Sequence, residues 1–148
     1  RANDVVVTES TTLASLVSTK KMRAKEMGIK FDSKLVLKKL ELSDMDISTL
    51  FGNLLDNAME AAQKAEKKWI DLTVEEKNDH FLVICENSYK DAPKRKGEEF
   101  VTSKEDEDSH GMGIKSMKQI VEKYKGEIKI SFENNVFTVR IRFNRNGS

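Results

Sequence analysis

Disulfides, membrane spans and excess charge are what this chain most plainly lacks, and each absence closes off a class of protein. A single cysteine, Cys85, cannot form an intramolecular disulfide, and its place in the apolar run FLVIC marks it as a core residue of a reducing compartment. No apolar segment reaches the roughly 18 residues that a bilayer-crossing helix needs, and the N-terminus has no signal-peptide core. Lys and Arg number 26 against 25 Asp and Glu, a net charge of +1, so no global field draws nucleic acid or a membrane surface. Basic residues are interleaved with acids and no stripe of aromatics accompanies them, which argues against nucleic-acid binding. There is no internal repeat and no low-complexity tract. The start at Arg1, with no Met, is expected of a piece of a longer protein, which leaves room for a membrane segment upstream.

What is present is one domain's worth of chain: 148 residues, 38% hydrophobic and 34% charged, enough for a real core beneath a heavily charged surface. Its centre is the stretch FGNLLDNAMEAA, Phe51 to Ala62. At about 100° per residue, Ile47, Leu50, Phe51, Leu54, Ala58, Ala61, Ala62 and Ala65 gather into one apolar stripe. Asn53, Asn57, Glu60 and Lys64 form a polar stripe on one shoulder of it, while Asp56, Gln63 and Lys67 lie opposite. Asn is a poor helix former that ordinarily sits near a cap or on a solvated face, so two in mid-helix at i and i+4 mark a place where a ligand could sit.

The remaining periodicities predict the layers. Thr11 to Met27 reads as a thinly apolar helix stopped by Gly28; Ile29 to Phe31 and Leu35 to Leu40 read as short strands. Ser43 with Asp46 resembles a capping box opening the central helix, which is expected to run to about Lys67. Ile70, Leu72 and Val74 alternate as a strand with one wet face, and Phe81 to Cys85 reads as a strand buried on both faces. Between Tyr89 and Ser109 the pattern disappears around Pro93, a basic patch at 94–96 and an acidic run at 105–108, a charged loop or lid. Ile114 to Tyr124 restores the helical period, Gly126 closes it, and two alternating strands turn at Asn134-Asn135. The sum is a two-layer α/β sandwich, a mostly antiparallel mixed sheet with helices on one face.

A second feature is His110-Gly111-Met112-Gly113 at a loop-to-helix junction. Glycines there admit a phosphate to the exposed N–H groups of a first helical turn. The carboxamide oxygen of Asn57 together with nucleotide phosphates would suit Mg²⁺, a hard cation. Asn87, following the apolar strand, could offer donor and acceptor to an adenine edge, and Lys104 could reach the phosphates.

With these residues in view the chain resembles the catalytic, ATP-binding domain of the gyrase, Hsp90, histidine kinase and MutL ATPase superfamily. Within it the chain is most similar to peptide-pheromone-sensing histidine kinases of quorum-sensing two-component systems. NLLDNAMEAA matches the family's N box, ICENSYK stands where the first glycine box falls, FVTSK resembles the lid's Thr-Thr-Lys, and HGMGIKSMKQIVEKYKG matches the second glycine box and its helix.

The resemblance implies a Bergerat-type ATP-binding fold over residues 29–148, with a lid at about 89–112, and residues 1–28 as the tail of a dimerisation hairpin. It implies ATP and Mg²⁺ as cofactors, Asn57 as the metal ligand, and Asn53 as the catalytic position near the phosphates. Glu86, Asn87, Lys104, His110, Gly111, Met112, Gly113 and Ile114 complete the nucleotide site, with the adenine contact open between Glu86 and Asn87 and leaning to Asn87. The superfamily's hydrolases resemble this layout but carry Glu where Asn53 stands; Asn is no general base, which favours phosphoryl transfer to a protein acceptor. Neither His80 nor His110 lies on a suitable helix, so the acceptor histidine is expected on a dimerisation domain of the same full-length protein, with a response regulator downstream. That makes the fragment a cytoplasmic domain of a membrane-anchored bacterial sensor, itself not touching membrane. The alternatives are an anti-sigma-type serine kinase and a degenerate nucleotide-binding or interaction module, the latter motivated by a first glycine box without glycine.

Overall fold

A six-stranded mixed sheet carries the helices on one face in the computed structural model, which describes residues 4–90, 94–96, 99–101 and 112–145. In chain order the elements are β1 (Val5–Val7), α1 (Thr11–Glu26), β2 (Lys30–Val36), α2 (Asp44–Gln63), β3 (Trp69–Glu76) and β4 (His80–Ser88). There follow β5 (Lys94–Lys96), β6 (Glu99–Val101), α3 (Met112–Lys123), β7 (Glu127–Glu133) and β8 (Val136–Asn144). The sheet order is β1-β2-β3-β4-β8-β7; β1, β2 and β3 run parallel and the other pairings are antiparallel. Two crossovers through α1 and α2 make the parallel half; β3–β4 and β7–β8 are hairpins, and β8 returns through α3 and β7 to pair with β4.

Strand parity decides where the core lies. Register pairs Phe31 with Ile70, Leu35 with Val74, Leu72 with Cys85, Val83 with Ile141 and Phe81 with Phe143, all buried and all on one face. The opposite face carries Arg140 and Arg142, both exposed. Phe81 to Cys85 is therefore not buried on both faces as expected: Leu82 and Ile84 are only half-buried, because no helix among the described residues covers their side. Cys85 does face the core, and burial pushes its thiol pKa up to about 12.

Local signals account for most boundaries. Ser10 and Ser43 cap α1 and α2 through their hydroxyls. Gly28 takes φ +74° past α1, and the bonds Ile29 N to Ala24 O and Gly28 N to Lys25 O form a Schellman stop. After α3 the same pair of bonds forms one residue earlier than Gly126 suggests, with Lys125 at φ 57°. Gly126 serves a different need: a Cβ there would stand 2.6 Å from Arg142 O and 2.8 Å from the Phe143 ring. The segment expected as two short strands is the single strand β2, and Leu37 and Leu40 are buried beyond it. α2 ends at Gln63, a turn before Lys67, since the chain must reach β3 at Trp69 beside Lys30. Part of the unpatterned stretch folds as the antiparallel pair β5 and β6.

Residues 11–26 pack into the same core as α2 through Leu13, Val17 and Ala24. Lys20 Nζ lies 2.7 Å from Asp56 Oδ1 on α2, and Lys21 Nζ lies 2.6 Å from Asp4 Oδ1 beside β1. No helix among the described residues is long and apolar enough to cross a membrane.

Candidate functional site

α2 is a helix with two jobs. Ile47, Leu50, Phe51, Leu54, Ala58 and Ala62 are buried, joined by Leu55 and Met59, which widen the core stripe. Asn53, Asn57 and Glu60 are half-buried on the other shoulder, and Asp56, Gln63 and Lys67 are exposed. The shoulder faces α3. A Cβ placed on Gly113, in the first turn of α3, would stand 3.5 Å from Asn57 Nδ2, 3.6 Å from Asn57 Oδ1 and 3.7 Å from Asn53 Oδ1. Two sequence motifs 56 positions apart, Asn57 and Gly113, thus meet face to face.

Asn57 Nδ2 is buried and has no hydrogen-bond partner among the described residues. An orphaned buried amide costs about 1–3 kcal/mol, a cost that an acceptor atom of a bound ligand would offset. The nearby first-turn N–H groups of α3 favour an anion, and an anion's oxygens accept from an amide nitrogen. The other carboxamide atom is a hard oxygen donor that suits Mg²⁺, and a cation that keeps most of its waters needs few protein ligands. Among the described residues there is no cluster of three or more His, Cys, Asp and Glu side chains. The donor set here fits a nucleotide-borne cation and not an all-protein metal cage.

At the far end of β4, register separates the two adenine candidates. Asn87 pairs with Ile70 and Phe137 on the helix side, whereas Glu86 pairs with Asp71 and Thr138 on the open side. Asn87, expected to offer its amide to a ligand, is only 3% exposed, and its Nδ2 donates to Ser88 O at 2.9 Å. Beside it an aromatic group that the sequence reading did not single out forms from Tyr89, whose ring stacks on Phe137 at 5.9 Å and meets Phe132 edge-on at 5.6 Å. The alternation of Phe132 and Phe137 was legible as core packing; Tyr89 sits where the pattern stops. Lys64, at the end of the polar stripe, borders an open cavity of about 520 Å³ with Trp69, Ser88 and Tyr89. Ile114 is partly buried against the core, and Met112 begins α3. Lys104, His110 and Gly111 lie outside the described residues.

Residues 42–144 match the family described as the GHKL domain, well over half of the chain. The chain belongs to the GHKL domain family. It is a GHKL ATP-binding domain whose fold is that of histidine kinase catalytic domains. The nucleotide-free catalytic domain of histidine kinase ThkA superposes with a TM-score of 0.70 at 19% identity, over 90% of each chain. Acinetobacter baumannii histidine kinase AdeS gives 0.68 at 14% identity, over 92% of this chain and 64% of that one. The mycobacterial sensor histidine kinase MprB gives 0.63 at 13%, over 90% and 93%. At such identities the likeness is one of fold. No curated protein matches the chain in sequence.

Proposed function

We propose that this GHKL domain is the kinase core of a bacterial two-component sensor histidine kinase, of the peptide-pheromone, quorum-sensing kind. It would bind Mg-ATP and pass the γ-phosphoryl group to a histidine outside these 148 residues, on a dimerisation hairpin of the same protein, and from there to a response regulator. The observation that carries this reading is the apposition of Gly113 to Asn53 and Asn57, with the buried amide nitrogen of Asn57 lacking a partner. In the transfer, an imidazole nitrogen of the acceptor forms the new bond to the γ-phosphorus, the bond to the β,γ-bridging oxygen breaks, and ADP leaves.

The chain's own part is to bind, align and exclude water. Asn57 would hold Mg²⁺ through its carboxamide oxygen; the ion, when bound, neutralises charge on the β- and γ-phosphates. Asn53, one turn earlier, would contact the phosphates without removing a proton from water, which leaves transfer favoured over hydrolysis. Asn87 is the adenine reader in this scheme, since it faces the helix layer and Glu86 does not. Lys104, His110, Gly111, Met112 and Ile114 would complete the lid and the phosphate cradle. The acceptor hairpin would join upstream of β1, with residues 1–28 as its docked tail, and the whole domain would stand on the cytoplasmic side of a membrane-anchored sensor.

Calorimetric titration of ATP with and without Mg²⁺, on this chain and on Asn57→Ala, tests the reading. Mg-dependent binding that the folded variant loses supports it. No binding to the folded chain at millimolar ATP would favour a degenerate interaction module, a reading that the glycine-free segment Glu86-Asn87-Ser88 motivates.

A further inference from the structure

Ser43 with Asp46 has the spacing of a capping box, in which two orphan N–H groups are satisfied reciprocally within one helix. Only half of it closes inside α2: Asp46 N donates to Ser43 Oγ at 3.1 Å. The other half runs through Tyr124, the residue that follows α3. Ser43 N donates to the hydroxyl of Tyr124 at 3.2 Å, and that hydroxyl donates to Asp46 Oδ2. Lys123 Nζ donates to the same carboxylate oxygen at 2.8 Å. The Tyr124 ring is held edge-on to Phe143, centroids 6.3 Å apart, so the hydroxyl has a fixed place to work from. The cap of α2 is therefore complete only when the C-terminal end of α3 is docked on it.

The other end of α3 carries Gly113, roughly 16 Å away along the axis at about 1.5 Å per residue. Between the two ends α3 is held by Met117, Ile120 and Val121, all buried. Apolar contact fixes how deep a helix sits but is non-directional, and allows it to slide or roll. Hydrogen bonds are directional and fix the roll.

We propose that Tyr124 is a positioning residue for nucleotide binding: by closing the cap of α2 with its hydroxyl it sets the angle of α3, and so the gap between Gly113 and the carboxamides of Asn53 and Asn57. The inference rests on the reading of that gap as the phosphate site. It assigns to Tyr124 no contact with the nucleotide. Its effect travels along one rigid helix pinned at one end.

Tyr124→Phe keeps the ring on Phe143 and deletes only the hydroxyl. Two readouts on the 148-residue chain decide the matter: the side-chain amide resonances of Asn57 by ¹⁵N NMR without nucleotide, and the Kd for Mg-ATP by calorimetry well below the melting temperature. The expected result is a folded variant whose Asn57 amide resonances move and whose Kd rises roughly three- to tenfold. A residue that merely stabilised the fold would lower Tm and leave both readouts in place, and an unchanged Kd in folded Tyr124→Phe overturns the proposal. Should that variant not fold, Asp46→Ala, which removes the oxygen that accepts from the Tyr124 hydroxyl, is judged by the same two readouts and the same criterion. Failure of the unmutated chain to bind ATP needs no variant to be seen; it overturns the reading of the site, and this inference with it.

Discussion

Replacing Gly113 by Ala separates the fold from the site with one methyl group. The new Cβ would meet Asn57 Nδ2 at 3.5 Å, Asn57 Oδ1 at 3.6 Å and Asn53 Oδ1 at 3.7 Å, all ordinary van der Waals separations. Nothing has to shift, so the folded chain accepts it. Ala is also the better helix former by up to about 1 kcal/mol, and the net change in stability is expected to lie between zero and that gain. Nucleotide binding should respond the other way. The methyl fills the approach to both carboxamides, and it does so against the very nitrogen that lacks a partner. A phosphate kept even a fraction of an ångström from that edge loses its charge-assisted bonds, and at least a tenfold rise in Kd is expected, about 1.4 kcal/mol. Urea unfolding followed by circular dichroism, with the slope checked for constancy, reads the first quantity; calorimetry with Mg-ATP reads the second. A variant that binds as well as the unmutated chain refutes the placement of the phosphates, and one that loses more than about 1 kcal/mol of stability refutes the steric argument.

Leu54→Ala empties a side chain that is 2% exposed in the centre of the core stripe, and should cost roughly 2–5 kcal/mol in urea unfolding while the folded fraction still binds nucleotide. Gly126→Ala is the opposite of Gly113→Ala: its Cβ would press on Arg142 O at 2.6 Å and on the buried Phe143 ring, neither free to move, so a loss of roughly 1–3 kcal/mol with little change in affinity is expected. Asp46 is held below the usual carboxylate range first by its bond from Lys123 and then by Tyr124. Because folding depresses its pKa, its contribution is present above the ordinary value of about 3.9 and is lost as pH falls through the lower folded-state value. Asp46→Asn should therefore flatten part of the fall in urea midpoint below about pH 4, and an acid limb identical to that of the unmutated chain would show that the pair with Lys123 contributes nothing.

Legibility followed distance along the chain. The two faces of α2, the Ser43 cap, the Gly28 stop and the Asn134-Asn135 turn, with φ 53° and 61°, are written in residues a few positions apart and could be read directly. Val5–Val7 could not, for three consecutive valines carry no period and become a strand only by lying along Lys34 to Val36. The end of α2 has no Gly or Pro to announce it and is set by where β3 must begin. Leu82 and Ile84 look like core in a list of residues, yet they are only half-buried, on the face that no helix among the described residues covers. The meeting of Asn57 with Gly113 could be inferred from motifs, whereas the Tyr124 to Asp46 bond spans 78 positions between residues that no motif connects. Asn87 and Glu86 are adjacent in the chain and differ only in strand parity, which the register supplies.

The energetics of α2 explain how one helix can hold both a core and a site. Fully burying a Leu or Phe side chain stabilises by about 1.5–3 kcal/mol, and Leu50, Phe51, Leu54 and Leu55 are all 2% exposed or less. Against that, two Asn residues in mid-helix cost a few tenths of a kcal/mol each in propensity, and the orphaned Nδ2 of Asn57 costs roughly 1–3 more. The core face outweighs the shoulder by a margin wide enough for the shoulder to stay unsatisfied until a ligand arrives. It follows that Asn57→Ala should not weaken the fold and is expected to strengthen it, because Ala removes both costs at once. The same substitution that is expected to abolish Mg-dependent binding should thus raise the urea midpoint, and a variant that lost binding by losing stability would place Asn57 in the core after all.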